Sequence, residues 1–150
     1  MKEIRTFKNK NAFLSNFYPV FVYYEGMRFP SVEHAFQAAK TNDLETRKLF
    51  MIAPTAKDAK RFGRQVKLRK DWDSVKVNVM EMLLRQKFAR PALREQLLNT
   101  KDSMLIEGNN HGDTFWGVCK GEGQNQLGRL LMKIRQEIIE EERQIKMIDP

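Results

Sequence analysis

In the stretch FPSVEHAFQAAK, residues 29–40, three polar side chains recur at helical spacing. Glu33, Gln37 and Lys40 stand at i, i+4 and i+7, so a helix puts them on one face, opposite Val32, Ala35, Phe36 and Ala39. Glu33 and Lys40 would lie about 10.5 Å apart along the axis, too far for a close ion pair but open to a small ligand between them. A first-turn position favours the ionised carboxylate, because free N–H groups and the helix dipole stabilise an anion. Such a carboxylate suits a nucleophile, a base or a stabiliser of positive charge, and not a resting general acid. The plain alternative is a solvated polar face. His34 points about 100° away from Glu33 around the helix, so it is not expected to share its work.

A second candidate is NNHGDTFWG, residues 109–117. Asp113 sits in a glycine-containing loop just before Phe115, Trp116 and Gly117. Glycine lets backbone approach a ligand closely, and tryptophan offers a stacking face. The alternative is an aspartate that caps a turn beside a core tryptophan. Trp72 has the same two readings, core or platform for a base. Other chemistries lack their residues. GEGQNQLG has no P-loop lysine. Two histidines and one cysteine, far apart, do not make a structural zinc site. No nucleophile-elbow serine is present, and Cys119 reads as a small core residue.

These residues need positioning elements. MKEIRTF reads as an edge strand and KNKNAFLSNFYP as a loop. VFVYYEGMRF reads as a hairpin turning at Glu25-Gly26. Ser31 is placed to cap the Glu33 helix, and Asp43 to cap another running to about Ala53. Thr55 to Asp58 resembles a capping box, opening a helix that Gly63 closes. A longer helix is predicted from about Ser74 to Ala89, with Val75, Val79, Met80, Met82 and Leu83 inward. Pro91 opens another, ending near Thr100. MLIEGN and FWGVCK are short strand candidates. Leu127, Leu130, Leu131, Ile134 and Ile138 mark a last helix, with EEERQIKMIDP leaving the pattern and fraying. The sum is a mostly helical α+β single domain over residues 1–150 with a small β-sheet.

The 150 residues are 41% apolar and 31% charged, enough for a real core. One cysteine excludes an internal disulfide and favours a cytosolic, cytoplasmic setting. The start of the chain is too charged for a signal peptide, and no apolar run approaches the ~20 residues of a membrane span. The net charge is +8, and residues 56–94 carry all of that excess. KRFGRQVKLRK, residues 60–70, has six basic residues and no acidic one. It reads either as a solvated face or as a surface for phosphate or nucleic acid.

Taken together, SNFYPVFVYYEGMRFPSVEHAFQAAK, AKRFGRQV, Trp72 with the helix after it, LIEGN, GDTFWG and NQLGRLLMKIR resemble the NADAR family, also called YbiA-like. Order and spacing match over about residues 5–136, leaving a tail of about 141–150. The resemblance implies a compact, mostly helical α+β domain that hydrolyses N-glycosidic bonds. Bacterial and plant members are associated with early riboflavin-pathway intermediates, in which a ribose phosphate is joined through nitrogen to an aminopyrimidine. Others remove ADP-ribose from guanine in DNA.

By matching position, the resemblance implies site roles for Asn16 and Phe17 in SNF, Glu33 in SVEH, Lys40 at the end of QAAK and Arg64 in GR. Trp72, Asp113, Trp116 and Gly117 fall in the later matches. Glu33 would stabilise positive charge or attack the sugar. Asp113 would activate water or bind a sugar hydroxyl. Lys40 would bind phosphate, protonate the leaving group or form an imine with a ring-opened ribose. Arg64 suits phosphate and the tryptophans suit the base, as Asn16, Phe17 and Gly117 suit substrate contact. The scheme requires no metal or cofactor. Its partner is a small-molecule N-glycoside, with DNA carrying ADP-ribosylated guanine as the alternative, no membrane, and a non-enzymatic nucleic-acid module as the third reading. Cys119 stands where the family often has glycine, and NNHG replaces its usual Ser-Pro before the aspartate; both bear on substrate identity.

Overall fold

The computed structural model describes residues 2–148. In chain order the elements are β1 (Glu3–Ile4), a 3-10 helix (Asn9–Leu14), β2 (Val22–Tyr24), β3 (Met27–Phe29), α1 (Val32–Ala38) and α2 (Leu44–Met51). Then come α3 (Ala56–Gly63), α4 (Trp72–Ala89), α5 (Pro91–Leu98), β4 (Met104–Leu105), β5 (Gly108–Asn109), β6 (Val118–Cys119) and α6 (Gln126–Ile148). The described residues divide into two compact units, Asn16–Ala89 and the segments flanking it.

Unit Asn16–Ala89 is built around α1. Ser31 caps it, its hydroxyl accepting from the His34 N–H at 3.1 Å. Every residue of α1 is buried, because α2, α3, α4 and the β2–β3 hairpin all pack on it. The hairpin pairs Val22 with Phe29 and Tyr24 with Met27. Glu25 and Gly26, both at positive φ (47° and 81°), make the two-residue turn. Tyr23, whose register partner is Arg28, turns its backbone outward, where the Gln86 amide takes both groups. Its Oε1 accepts from Tyr23 N–H at 2.7 Å, and its Nε2 donates to Tyr23 C=O at 2.6 Å. Arg47 is buried against the hairpin, donating to Thr41 C=O at 2.8 Å and to Glu25 at 3.1 Å. Asp43 caps α2 and Thr55 caps α3, as their side chains predict.

In the flanking unit, β1 pairs in parallel with β4, and β5 in parallel with β6. The helix α6 lays Leu127, Leu130, Leu131, Ile134 and Ile138 inward. Its arginine Arg135 is buried, donating to Ser103 C=O at 2.8 Å and to the Thr100 hydroxyl at 2.9 Å.

Several expectations need correction. The strands form three separate pairs rather than one small sheet, because each is only two or three residues long. MLIEGN splits into β4 and β5, and part of the first loop is a 3-10 helix. The helix α4 begins at Trp72, two residues early, and Met82 is 41% exposed rather than inward. The segment 141–148 is helical: α6 continues to Ile148, and Arg94 pairs with Glu141 and Glu142 at 3.0 Å each. Asp149 and Pro150 lie outside the described residues. Gly63 ends α3 within ordinary helical backbone, so its role is space rather than a left-handed turn.

Candidate active site

The polar face of α1 is buried, not solvated. Glu33 is 7% exposed and Gln37 is 4% exposed. Gln37 Nε2 donates to Glu33 Oε1 at 2.9 Å. The Glu33 N–H donates to the Asn16 carbonyl at 3.1 Å, which brings the SNF segment to the first turn of α1. Asn16 Nδ2 lies 3.5 Å from the Met80 sulfur, and its Oδ1 is buried with no hydrogen-bond partner among the described residues.

Lys40 lies just past α1, half-buried. Burial pushes its ammonium below the usual lysine range; the Glu33 carboxylate opposes this, and Lys60 and Arg64 add to it. One carboxylate therefore shares a field with three cations. Lys60 also stands 5.9 Å from the Phe17 ring centroid. Asn16, Phe17, Glu33, Lys40 and Arg64, expected as site residues, thus converge with Gln37 and Lys60. Sequence reasoning set Gln37 on the right face without giving it a role. It left Lys60 inside an undifferentiated basic run.

His34 is excluded from this cluster by its own bonds. Nε2 donates to the Ala53 carbonyl at 3.0 Å, leaving Nδ1 to accept from the Ser31 hydroxyl at 2.6 Å. Burial lowers its pKa, so the ring is held neutral as a structural pin.

Trp72 is 6% exposed and packs at 5.0 Å from the Phe36 ring, on the apolar side of α1. The indole therefore contributes to the packing around α1. The basic run is also divided. Lys67, Arg69 and Lys70 line a separate cleft of about 1260 Å³ with Leu49, Ile52 and Leu68. Arg69 is already paired with Asp71. None of the expected site residues lines that cleft.

Asp113, Trp116 and Gly117 belong to the flanking unit. Asp113 Oδ1 accepts from the N–H groups of Phe115 (3.1 Å) and Trp116 (2.9 Å), so it caps the turn. Asn109 braces the same loop, accepting from Asp113 N–H at 3.0 Å and donating to its carbonyl at 2.9 Å. Trp116 is half-buried and edge-on to Phe115, with centroids 4.9 Å apart. Gly117 is buried where a Cβ would sit 2.1 Å from the Glu107 carbonyl oxygen, so packing requires the glycine there. Among the described residues, no three His, Cys, Asp or Glu are grouped to hold a metal ion, and no helix is long and apolar enough to cross a membrane.

The NADAR domain family model matches residues 4–139. An N-glycosidase of Nostoc punctiforme is 38% identical over 131 residues, covering 83% of each chain. The N-glycosidase YbiA of Escherichia coli is 39% identical over 128 residues, covering 83% of this chain and 79% of that protein. A riboflavin biosynthesis protein of Vibrio vulnificus is 40% identical over 134 residues, but the chain spans only 36% of its length. The solution structure of E. coli YbiA matches with a TM-score of 0.81 at 36% identity, covering 95% of this chain and 89% of that one. With the family model matched across nearly its whole length and relatives at this identity, the chain belongs to the NADAR family.

Proposed function

We propose that this chain is an N-glycosidase that cleaves the bond between a ribose phosphate and an aminopyrimidine-type base. The observation that carries the reading is a buried carboxylate, Glu33, sharing a field with a half-buried lysine, Lys40. The relatives named as N-glycosidases, which this chain covers over most of their length, support it. The relative named for riboflavin biosynthesis supports the substrate class. One family match spanning both compact units supports reading residues 1–150 as a single working domain. The lone cysteine supports a cytoplasmic setting.

In this reading the C–N bond breaks through a sugar that carries positive charge. The Glu33 carboxylate stabilises that charge, and water adds to the anomeric carbon. Lys40 is the reactive amine. Its loosened ammonium is a proton donor for the leaving nitrogen, and its free amine is a nucleophile toward a ring-opened ribose. Borohydride treatment during turnover separates the two: an adduct on Lys40 marks the imine, and its absence leaves the proton donor. Arg64 and Lys60 are assigned to phosphate, and Asn16 and Phe17 to the sugar or base. Asp113 is assigned to a sugar hydroxyl or the attacking water, with Trp116 and Gly117 lining its loop. Trp72 supports α1 from behind.

A second reading, removal of ADP-ribose from guanine in DNA, draws on the exposed Lys67 and Lys70, which stand apart from the Glu33 cluster. A turnover screen decides between them. Phosphoribosyl aminopyrimidines should release ribose 5-phosphate, and Glu33→Gln should lose about 10²–10³-fold in turnover with the fold intact. Turnover on ADP-ribosylated DNA alone, steeply salt-dependent, would replace the first reading with the second. A fully active Glu33→Gln protein would remove Glu33 from the chemistry.

A further inference from the structure

Gln37 lies one turn beyond Glu33 and is enclosed. An ionised carboxylate can only accept, so the Gln37 amide must turn its NH₂ toward Glu33, as the 2.9 Å bond shows. That choice sends Oε1 the other way, where it is buried with no hydrogen-bond partner among the described residues. Leaving such an oxygen unpaired is costly, because burial strips it of water without supplying a donor. A leucine of similar size would fill the place without that cost, so packing alone does not account for the amide.

The far side of the amide rests on α3. A Cβ at Gly63 would lie 1.8 Å from Gln37 Oε1 and 2.7 Å from its Cδ, and 3.2 Å from its Cβ. Backbone conformation places no demand on Gly63, since its φ is not in the left-handed region. The missing side chain is the seat of the Gln37 amide. From that seat the amide can do one thing for its neighbour: hold the Glu33 carboxylate in one orientation and favour its anion.

We propose that Gln37 is a positioning residue for Glu33, and that Gly63 sets it by leaving room for its amide. Gln37 acts through Glu33 and touches no reacting atom. The inference rests on the N-glycosidase reading for its kinetic consequences, and on geometry alone for its effect on the Glu33 carboxyl.

Gln37→Leu should leave KM within about threefold, lower kcat about 10–100-fold and move the acid limb of the kcat profile to higher pH. Gly63→Ala should reproduce the loss with Gln37 present and add little in a Gln37→Ala background, where the two closest contacts, 1.8 and 2.7 Å, are gone. Thermal unfolding of each variant separates misfolding from mispositioning. Titration of the Glu33 carboxyl by carbon NMR gives a readout independent of turnover, and Gln37→Leu should raise its midpoint. If wild-type protein cleaves no N-glycoside but that midpoint still rises, the N-glycosidase reading fails and the positioning role stands. An unmoved midpoint overturns the role, as does a Gly63→Ala effect of equal size in both backgrounds.

Discussion

On α1, Glu33 takes a hydrogen bond from a side chain, Gln37, and shares its field with Lys40, Lys60 and Arg64. In the 109–117 loop, Asp113 takes two from backbone N–H groups, and Asn109 ties the loop to itself. Both carboxylates sit in segments that resemble a catalytic family, yet they are held for different ends. Backbone donors fix a turn whether or not a ligand is near, and their loss is felt as stability. A side-chain donor with its own oxygen left over fixes a carboxylate at a cost, and its loss should be felt as rate. The contrast separates a carboxylate that shapes its loop from one that shares its field with a half-buried lysine.

The largest expected effect probes the α1 side. Lys40→Arg keeps the positive charge but cannot release a proton at working pH, and should lower kcat/KM by about 10²-fold or more. In wild-type protein, the alkaline limb should fall below the ~10.4 of a free lysine, because burial loosens the proton. A Lys40→Arg enzyme of full activity would reduce α1 to a source of charge.

A smaller effect probes the loop. Asp113→Ala removes the acceptor for two N–H groups and should cost about 1–2 kcal/mol in urea unfolding. Asp113→Asn keeps an acceptor and should keep most of that stability. Under its assignment to water or a sugar hydroxyl it should lose activity while staying stable; a fully active Asp113→Asn protein would leave that carboxylate to the turn alone.

The smallest effect concerns His34, which belongs to neither network. Burial disfavours its imidazolium in the folded chain, so the folded pKa lies below the unfolded one. Its stabilising share is therefore full above the ordinary value of about 6.5 and declines as pH falls below it. The slope of unfolding free energy against pH in that window should flatten in His34→Gln. An unchanged slope would overturn that role for His34.

Much of this arrangement was legible beforehand. Ser31, Asp43 and Thr55 announced their helices because capping is local chemistry, and the Glu25-Gly26 turn likewise. Periodicity correctly separated Glu33 and Gln37 from His34 and from the apolar stripe. It could not show that the polar face is enclosed too, because enclosure comes from α2, α3 and α4 packing around a seven-residue helix. The partition of the basic run between Lys40 and a different cleft has the same origin. The tail was misjudged because its apolar pattern ends before its helix does, and Arg94 anchors that helix from residue 94.

The amide of Gln86 has a consequence for the chain's behaviour in company. A two-stranded ribbon has a bare rim, and a bare rim recruits strands from other molecules. On the outer side of β2, the one outward-facing pair of backbone groups, at Tyr23, is occupied by Gln86 acting as a counterfeit peptide unit. With that position filled from within, the β2 rim of the hairpin offers a neighbouring strand no free backbone at Tyr23.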